Sequence, residues 1–298
     1  MKPWRDLTTT NPHIANIVLA SVALDRNASV GKGASLAPRK LRQLSRYLPP
    51  ASKDGTDLTA IKILDLGSIG NNFSAFSPIE QRAKTIFDLN KFSVFLGGDH
   101  SVAIPLQGAF LEYCQEQDKI PAIIHLDAHP DICDTYDGSK YSHACPNFRA
   151  MERGYQRENI KMLGIRGFEL QEIELFKQYP DLEVVTASVL NVRGLDAIKH
   201  FKDKFDERYL IYLSFDIDII DPSFAPGTGT PEAFGLSPTL VTELLTYFIQ
   251  NLPVKALDIV EISPRLDVND VTSWTALKIF YEILATLIIK WQLKENNK

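Results

Sequence analysis

The sequence predicts an α/β fold: a mainly parallel sheet of about eight strands with helices on both faces. Eight short, β-branched apolar runs recur along the 298 residues. Their hydrophobicity is near-continuous rather than alternating, as in strands covered on both sides. Stretches with helical spacing lie between them, and that alternation argues for βαβ units. No internal repeat, low-complexity tract or Pro/Gly/Ser linker divides the chain, so residues 1–298 are expected to form one domain.

In chain order the first strand is IANIVLASV, followed by a helix over APRKLRQLSRYL with Pro38 near its start. The strand IKILDLGS comes next, then a helix over SPIEQRAKTIFDLN, with Ser77 as its cap and Pro78 opening the first turn. FSVFLGGD, AIIHLDAH, IKMLGIRG, LEVVTAS and YLIYLSFDID supply five more strands, most of them ending on Gly, Asp, Ser or His. GLSPTLVTELLTYFIQNL reads as a helix with Pro238 near its start, and KALDIVEI is the eighth strand. The last helix begins around Asp270 and runs through WTALKIFYEILATLIIKW.

Composition narrows the function. Apolar residues make up 45% and charged residues 23%, and the formal net charge is -5, with no basic stripe to suggest a nucleic-acid partner. The opening MKPWRDLTTTNPH lacks the apolar core of a signal peptide. The run ILATLII is too short to span a bilayer, so no membrane association is expected. Cys114, Cys133 and Cys145 are odd in number and form no CxxC pair. A disulfide framework is therefore not expected, and a reducing cytoplasm is.

Ligands of open α/β sheets bind beyond the carboxyl ends of the strands, and four strand ends here carry unusual chemistry. In FLGGDHS, Gly97 and Gly98 allow a tight turn and His100 follows it, either as a ligand or as a solvated turn residue. In HLDAHPD, Asp127, His129 and Asp131 stand at i, i+2 and i+4, which in an extended chain puts them on one face. A hydrogen-bonded polar cap is the plainer alternative. His125 shares their parity but lies deeper, as expected of a supporting residue. In LSFDIDIIDP, Asp216 and Asp218 repeat the pattern, whereas Asp221 has the opposite parity and precedes Pro222, as a turn cap would. In DIVEISPRLD, Glu261 leaves a mostly apolar strand, as a site carboxylate or as the partner of an arginine.

Carboxylates this dense resist ionising together unless cations sit among them. Two divalent ions would balance Asp127, Asp131, Asp216 and Asp218. Mixed oxygen and nitrogen ligands favour Mn, with Zn, Fe, Co and Ni still open. Paired metals lie roughly 3.5–4 Å apart, a spacing that bridging aspartates support.

Taken as an ordered set, GGDHS, DAHPD, YSHACP, SFDIDIIDPSFAPGTGTPE and VEISP resemble the ureohydrolase family of arginases, agmatinases, guanidinobutyrases and formimidoylglutamases. The resemblance runs from about residue 30, where GKGASLAPRKLR is similar to the family's first helix entry. It implies an arginase-like three-layer α/β/α fold, two Mn ions, a small guanidino or formimino substrate and a homo-oligomer, trimeric or hexameric. It also implies roles. One metal takes His100 and Asp131, the other His129 and Asp218, and Asp127 and Asp216 bridge them. Glu261 matches the carboxylate that orients the guanidinium or amidine group, and His143 matches a loop histidine that carries protons. Asp131 is placed to accept a hydrogen bond from the attacking nucleophile.

The implied reaction is hydrolysis of a C–N bond in a linear amidine. Agmatine, giving putrescine and urea, is the first substrate to consider. Cys133 stands where animal arginases usually carry an Asn that reads the amino acid end of arginine, and Ser263 stands where arginases usually carry Asn. HLDAHPDI and KYSHACP look closer to plant-type arginases and some microbial agmatinases, and APGTGTPE resembles agmatinases. The alternatives are a plant-type arginase and a formimidoylglutamase. The substrate of the latter carries two carboxylates, for which Arg149, Arg153 and Arg265 lie near the motif loops. A noncatalytic metal-dependent binding protein on this fold is the alternative from another class.

Overall fold

The structure is a computed structural model and describes residues 1–296. Nine strands build one sheet: β1 (Thr8–Thr9), β2 (Ile17–Ala23), β3 (Ile63–Asn71), β4 (Phe92–Leu96), β5 (Ile120–Leu126), β6 (Ile160–Ile165), β7 (Glu183–Thr186), β8 (Tyr209–Asp216) and β9 (Val254–Val260). Their order is β1-β3-β2-β4-β9-β8-β5-β6-β7, and the paired neighbours run parallel. All eight apolar runs are strands. The ninth, β1, is a two-residue edge strand of threonines, paired with Ile63 and Leu64, and so carries no apolar signal.

Helices cover both faces. On one side lie α1 (Ala37–Leu44), α6 (Ala187–Arg193), the short α7 (Phe201–Lys204), α8 (Pro238–Asn251) and α9 (Val271–Asn296). On the other lie α2 (Phe76–Phe87), α3 (Ala103–Glu116), α4 (Pro146–Arg153) and α5 (Leu170–Gln178). The strands feed both cores by alternation: in β8, Ile211, Leu213 and Phe215 face the first core and Tyr212 the second. Each fully buried aliphatic side chain of this kind contributes about 1.5–3 kcal/mol.

Three local expectations change. α2 begins at Phe76 after Ala75, so Ser77 lies inside the helix instead of capping it. The Phe76 ring packs edge-on against Tyr141, with centroids 5.4 Å apart. Gly97 and Gly98 are required by close packing, since a Cβ on Gly98 would run into the Leu24 carbonyl and one on Gly97 would lie 2.5 Å from Val260 Cγ1. Finally, the apolar stretch around ILATLII belongs to a 26-residue helix, long and apolar enough to cross a membrane by length and composition. That helix is a core element, with Leu277, Phe280, Ile283, Leu284 and Leu287 buried against the sheet and α8.

The proline at the start of GLSPTLVTELLTYFIQNL acts as read. Ser237 caps α8 by accepting the Leu240 N–H, with Pro238 in the first turn. The four strands whose ends carry the unusual chemistry are consecutive across the middle of the sheet, in the order β4-β9-β8-β5.

Candidate metal centre and active site

Four adjacent strand ends deliver the predicted residues to one place. The turn after β4 brings His100, the loop after β5 brings Asp127, His129 and Asp131, β8 ends on Asp216 with Asp218 in the following turn, and Glu261 follows β9. The residues converge, but not by continuing as extended chain. After Leu126 the backbone bends, and Asp131 adopts φ +53°. Asp216 accepts the Asp218 N–H at 2.8 Å and so opens a single 3-10 turn. Asp131, and Glu261 with φ +60°, are non-glycine residues in the left-handed region. Such conformations gather at functional sites, where the surroundings hold them.

His100 Nδ1 lies 2.9 Å from Asp127 Oδ2, 3.1 Å from Asp131 Oδ2 and 3.1 Å from Asp216 Oδ2. His129 Nδ1 lies 3.1 Å from Asp218 Oδ2 and 3.4 Å from Asp127 Oδ1. Asp127 therefore reaches both imidazoles. Gly167 keeps room for one of them, because a Cβ there would lie 2.7 Å from His129 Cδ2. His125 is fully buried behind the cluster; its ring stacks on His100 at 4.9 Å, and its Nε2 lies 2.9 Å from the His129 carbonyl and 3.1 Å from Asp127 Oδ2. Asp221 faces away, accepting from Ser223 and the Gly235 N–H, as a turn cap does.

The donor set fits divalent cations. His100 Nδ1, Asp127 Oδ2 and Asp218 Oδ2 are buried without a hydrogen-bond partner, which is costly for such atoms unless an ion takes them. His100, His125, Asp127 and Asp131 form one group that could hold an ion, and Asp127, His129 and Asp218 another. Electrostatics agree. Burial, then the charges of Asp218 and Asp127, push Asp216 well above the usual carboxylate range. Burial and Asp127 push Asp218 up as well. Burial works against ionising Asp127, but the imidazoles of His125, His100 and His129 hold it well below its ordinary value. Carboxylates crowded in this way are relieved by cations.

Glu261 Oε1 accepts the His100 N–H at 2.7 Å and lies 3.3 Å from His143 Nδ1. On its other side, His143 Nε2 lies 3.0 Å from Ser29 Oγ. Burial disfavours the charged form of His143, but the Glu261 carboxylate outweighs it and lifts the pKa to about 9. Both residues open, with His100, His129, Asp131, Asp216 and Asp218, onto a cleft of about 360 Å³.

Sequence reasoning missed part of that cleft. Glu169, Glu172 and Glu232 line it, and Tyr136 and Ser29 narrow it. Glu169 and Glu172 form the capping box of α5, and Glu172 also accepts the Ile132 N–H, tying α5 to the metal-side loop. Burial in the first place pushes Glu172 up to about 7. The E-x-x-E spacing at the helix start after LGIRG was the available signal. Cys133 does not line the cleft: it is fully buried beside Glu172 and donates its N–H to the Ala144 carbonyl. Nor do the arginines near the motif loops. Arg149 pairs with Asp134 and Glu152, Arg153 pairs with Glu80, and Arg265 packs against Gly33. The three cysteines are buried free thiols.

A parallel three-layer α/β/α fold with a carboxylate–imidazole cluster at its central strand ends defines the class: a protein with a site suited to divalent cations. The chain belongs to the arginase family, whose model matches residues 15–286. An agmatinase of Bacillus anthracis is 31% identical over 281 residues, covering 91% of each chain. The crystal structure of the agmatine ureohydrolase of Thermoplasma volcanium superposes with a TM-score of 0.85 at 27% identity, over 98% of this chain and 96% of that one. The formimidoylglutamase of Bacillus subtilis also gives a TM-score of 0.85, at 25% identity, over 96% and 91%.

Proposed function

We propose that the protein is a dinuclear, manganese-dependent amidinohydrolase that hydrolyses a small guanidino compound, with agmatine its first substrate. The observation that carries the substrate choice is the charge of the cleft. Beyond the cluster it adds Glu169, Glu172, Glu232 and Glu261, and among the described residues no lysine or arginine lines it. A dication with a guanidinium at one end and an amine at the other matches such walls. Formimidoylglutamate, with two carboxylates, would meet Glu169 and Glu232 there and no lysine or arginine to pair with. The agmatinase of Bacillus anthracis and the agmatine ureohydrolase of Thermoplasma volcanium support the same choice.

In this reading His100 and Asp131 would hold one ion, His129 and Asp218 the other, and Asp127 and Asp216 would serve both. Two such ions would supply Lewis acidity and a water whose pKa is lowered toward neutrality. The chain supplies the rest. A guanidinium carbon is a poor electrophile because three nitrogens share its charge, so orientation matters. Glu261 fixes the cationic group with its carbon toward the cluster. Asp131 accepts a hydrogen bond from the nucleophile, and His143, between Glu261 and Ser29, delivers a proton to the departing nitrogen. The products are putrescine and urea.

The test is urea or formamide release from agmatine, arginine, guanidinobutyrate and formimidoylglutamate by the Mn-loaded protein. Agmatine is expected to turn over with the highest kcat/KM. Turnover of none of the four would contradict the reading. A reducing cytoplasmic location, supported by the free thiols, and a trimer or hexamer belong to the same proposal; light scattering tests the latter.

A further inference from the structure

Asp258 lies in mid-strand β9, fully buried, a costly place for a carboxylate. Three donors meet it. Tyr212 Oη donates to Oδ2 at 2.8 Å, while Ser214 Oγ at 2.9 Å and the Phe215 N–H at 3.2 Å donate to Oδ1. Ser214 and Asp258 are paired neighbours on β8 and β9, and His125 is the neighbour of Ser214 on β5. Ser214 Oγ also lies 2.9 Å from His100 Nε2.

The directions of these bonds follow from counting protons. A hydroxyl has one proton, and Ser214 uses it on Asp258 Oδ1, the carboxyl oxygen that also accepts the Phe215 N–H. Toward His100 the hydroxyl therefore accepts, so Nε2 carries a proton. In a neutral imidazole Nδ1 is then the bare nitrogen. That is the atom facing Asp127, Asp131 and Asp216, and it has no hydrogen-bond partner. Stacking on His125 fixes the ring plane.

We infer that Asp258, acting through Ser214, is a positioning residue that sets the tautomer and orientation of His100 for metal binding. The inference rests on the dinuclear reading above and adds residues that touch the ion only through His100. It accounts for a buried carboxyl group in a strand that hydrophobic patterning alone would fill with an aliphatic residue.

Metal titration of the full chain with Mn tests it, together with nitrogen NMR of the protein loaded with diamagnetic zinc. The wild-type His100 is expected to show its proton on Nε2. Ser214→Ala should weaken one of the two metal sites about 10–100-fold while the other is retained, and Asp258→Asn should weaken the same site about tenfold. The melting temperatures of both metal-free variants should stay near wild type. A His100 proton on Nδ1 would overturn the inference, as would two sites of unchanged affinity in Ser214→Ala. Equal losses at both sites with lowered melting temperatures would mark a merely structural role and overturn it too. Unchanged affinity in Asp258→Asn beside a loss in Ser214→Ala would overturn the part given to Asp258. A wild-type protein that bound no divalent ion would instead remove the dinuclear reading on which the inference rests.

Discussion

Glu261 Oε1 stands 3.3 Å from His143 Nδ1, so the carboxylate proposed to face the substrate also sets the charge of the proposed proton carrier. Glu261 raises the pKa of His143 against the opposing effect of burial, to about 9 in the metal-free protein. Glu261→Gln removes that charge. The His143 ring in the metal-free variant should titrate lower, closer to the ordinary 6.5. Proton NMR of the ring reads the shift; an unchanged or higher value would contradict the pairing.

The same residue separates chemistry from metal binding. Glu261→Ala should abolish turnover with both ions retained, because its carboxylate approaches His143 and the His100 backbone rather than the cluster oxygens. Asp131→Ala should abolish turnover and weaken metal binding by more than about 100-fold, beyond what loss of an outer partner gives. Metal analysis beside the activity assay distinguishes the two. Metal loss in Glu261→Ala would show that its role is assigned wrongly.

Glu232 lies at the cleft mouth, its carboxylate 3.9 Å from His129 Nε2 and its side chain 45% exposed. Its contribution is that of a solvated charge. Glu232→Gln should raise KM for agmatine by up to about fivefold, equivalent to about 1 kcal/mol, with kcat little changed. A large fall in kcat would place it in the chemistry instead.

How far the site was legible depended on side-chain type. Asp127, His129 and Asp131 stood out because acidic and imidazole groups rarely end an apolar strand. The alternation that singled them out is not how they meet, since the chain bends after Leu126 and Asp131 turns left-handed. Eight strands were legible from apolar runs, and β1 was not, because two edge threonines leave no such pattern. Glu169 and Glu172 were hidden for another reason. An acidic pair at a helix start reads first as a capping box, which it also is. Asp258 is one polar residue within an apolar strand, and only register beside Ser214 gives it a role.

A carboxylate outside the site tests the fold itself. Asp65 accepts from Arg42 Nε and Nη2, each at 2.8 Å, from Trp4 Nε1 at 2.8 Å and from the Gly67 N–H at 3.0 Å. Burial opposes its ionisation, but Arg42, Trp4 and Gly67 prevail and hold its pKa below the ordinary 3.8. The folded state thus favours the ionised form. Its contribution is complete above 3.8 and fades as pH falls through the lower folded value. Asp65→Asn should cost about 1.5–3 kcal/mol at neutral pH. Urea unfolding at several pH values should show the difference shrinking only at the acid end; a constant difference would contradict the linkage.

The proposed centre holds two ions within one cluster, and metal stoichiometry tests that most directly. After incubation with Mn and removal of free metal, elemental analysis should find two ions per wild-type chain. Fewer than two tightly held ions would contradict the dinuclear centre and the hydrolytic mechanism built on it.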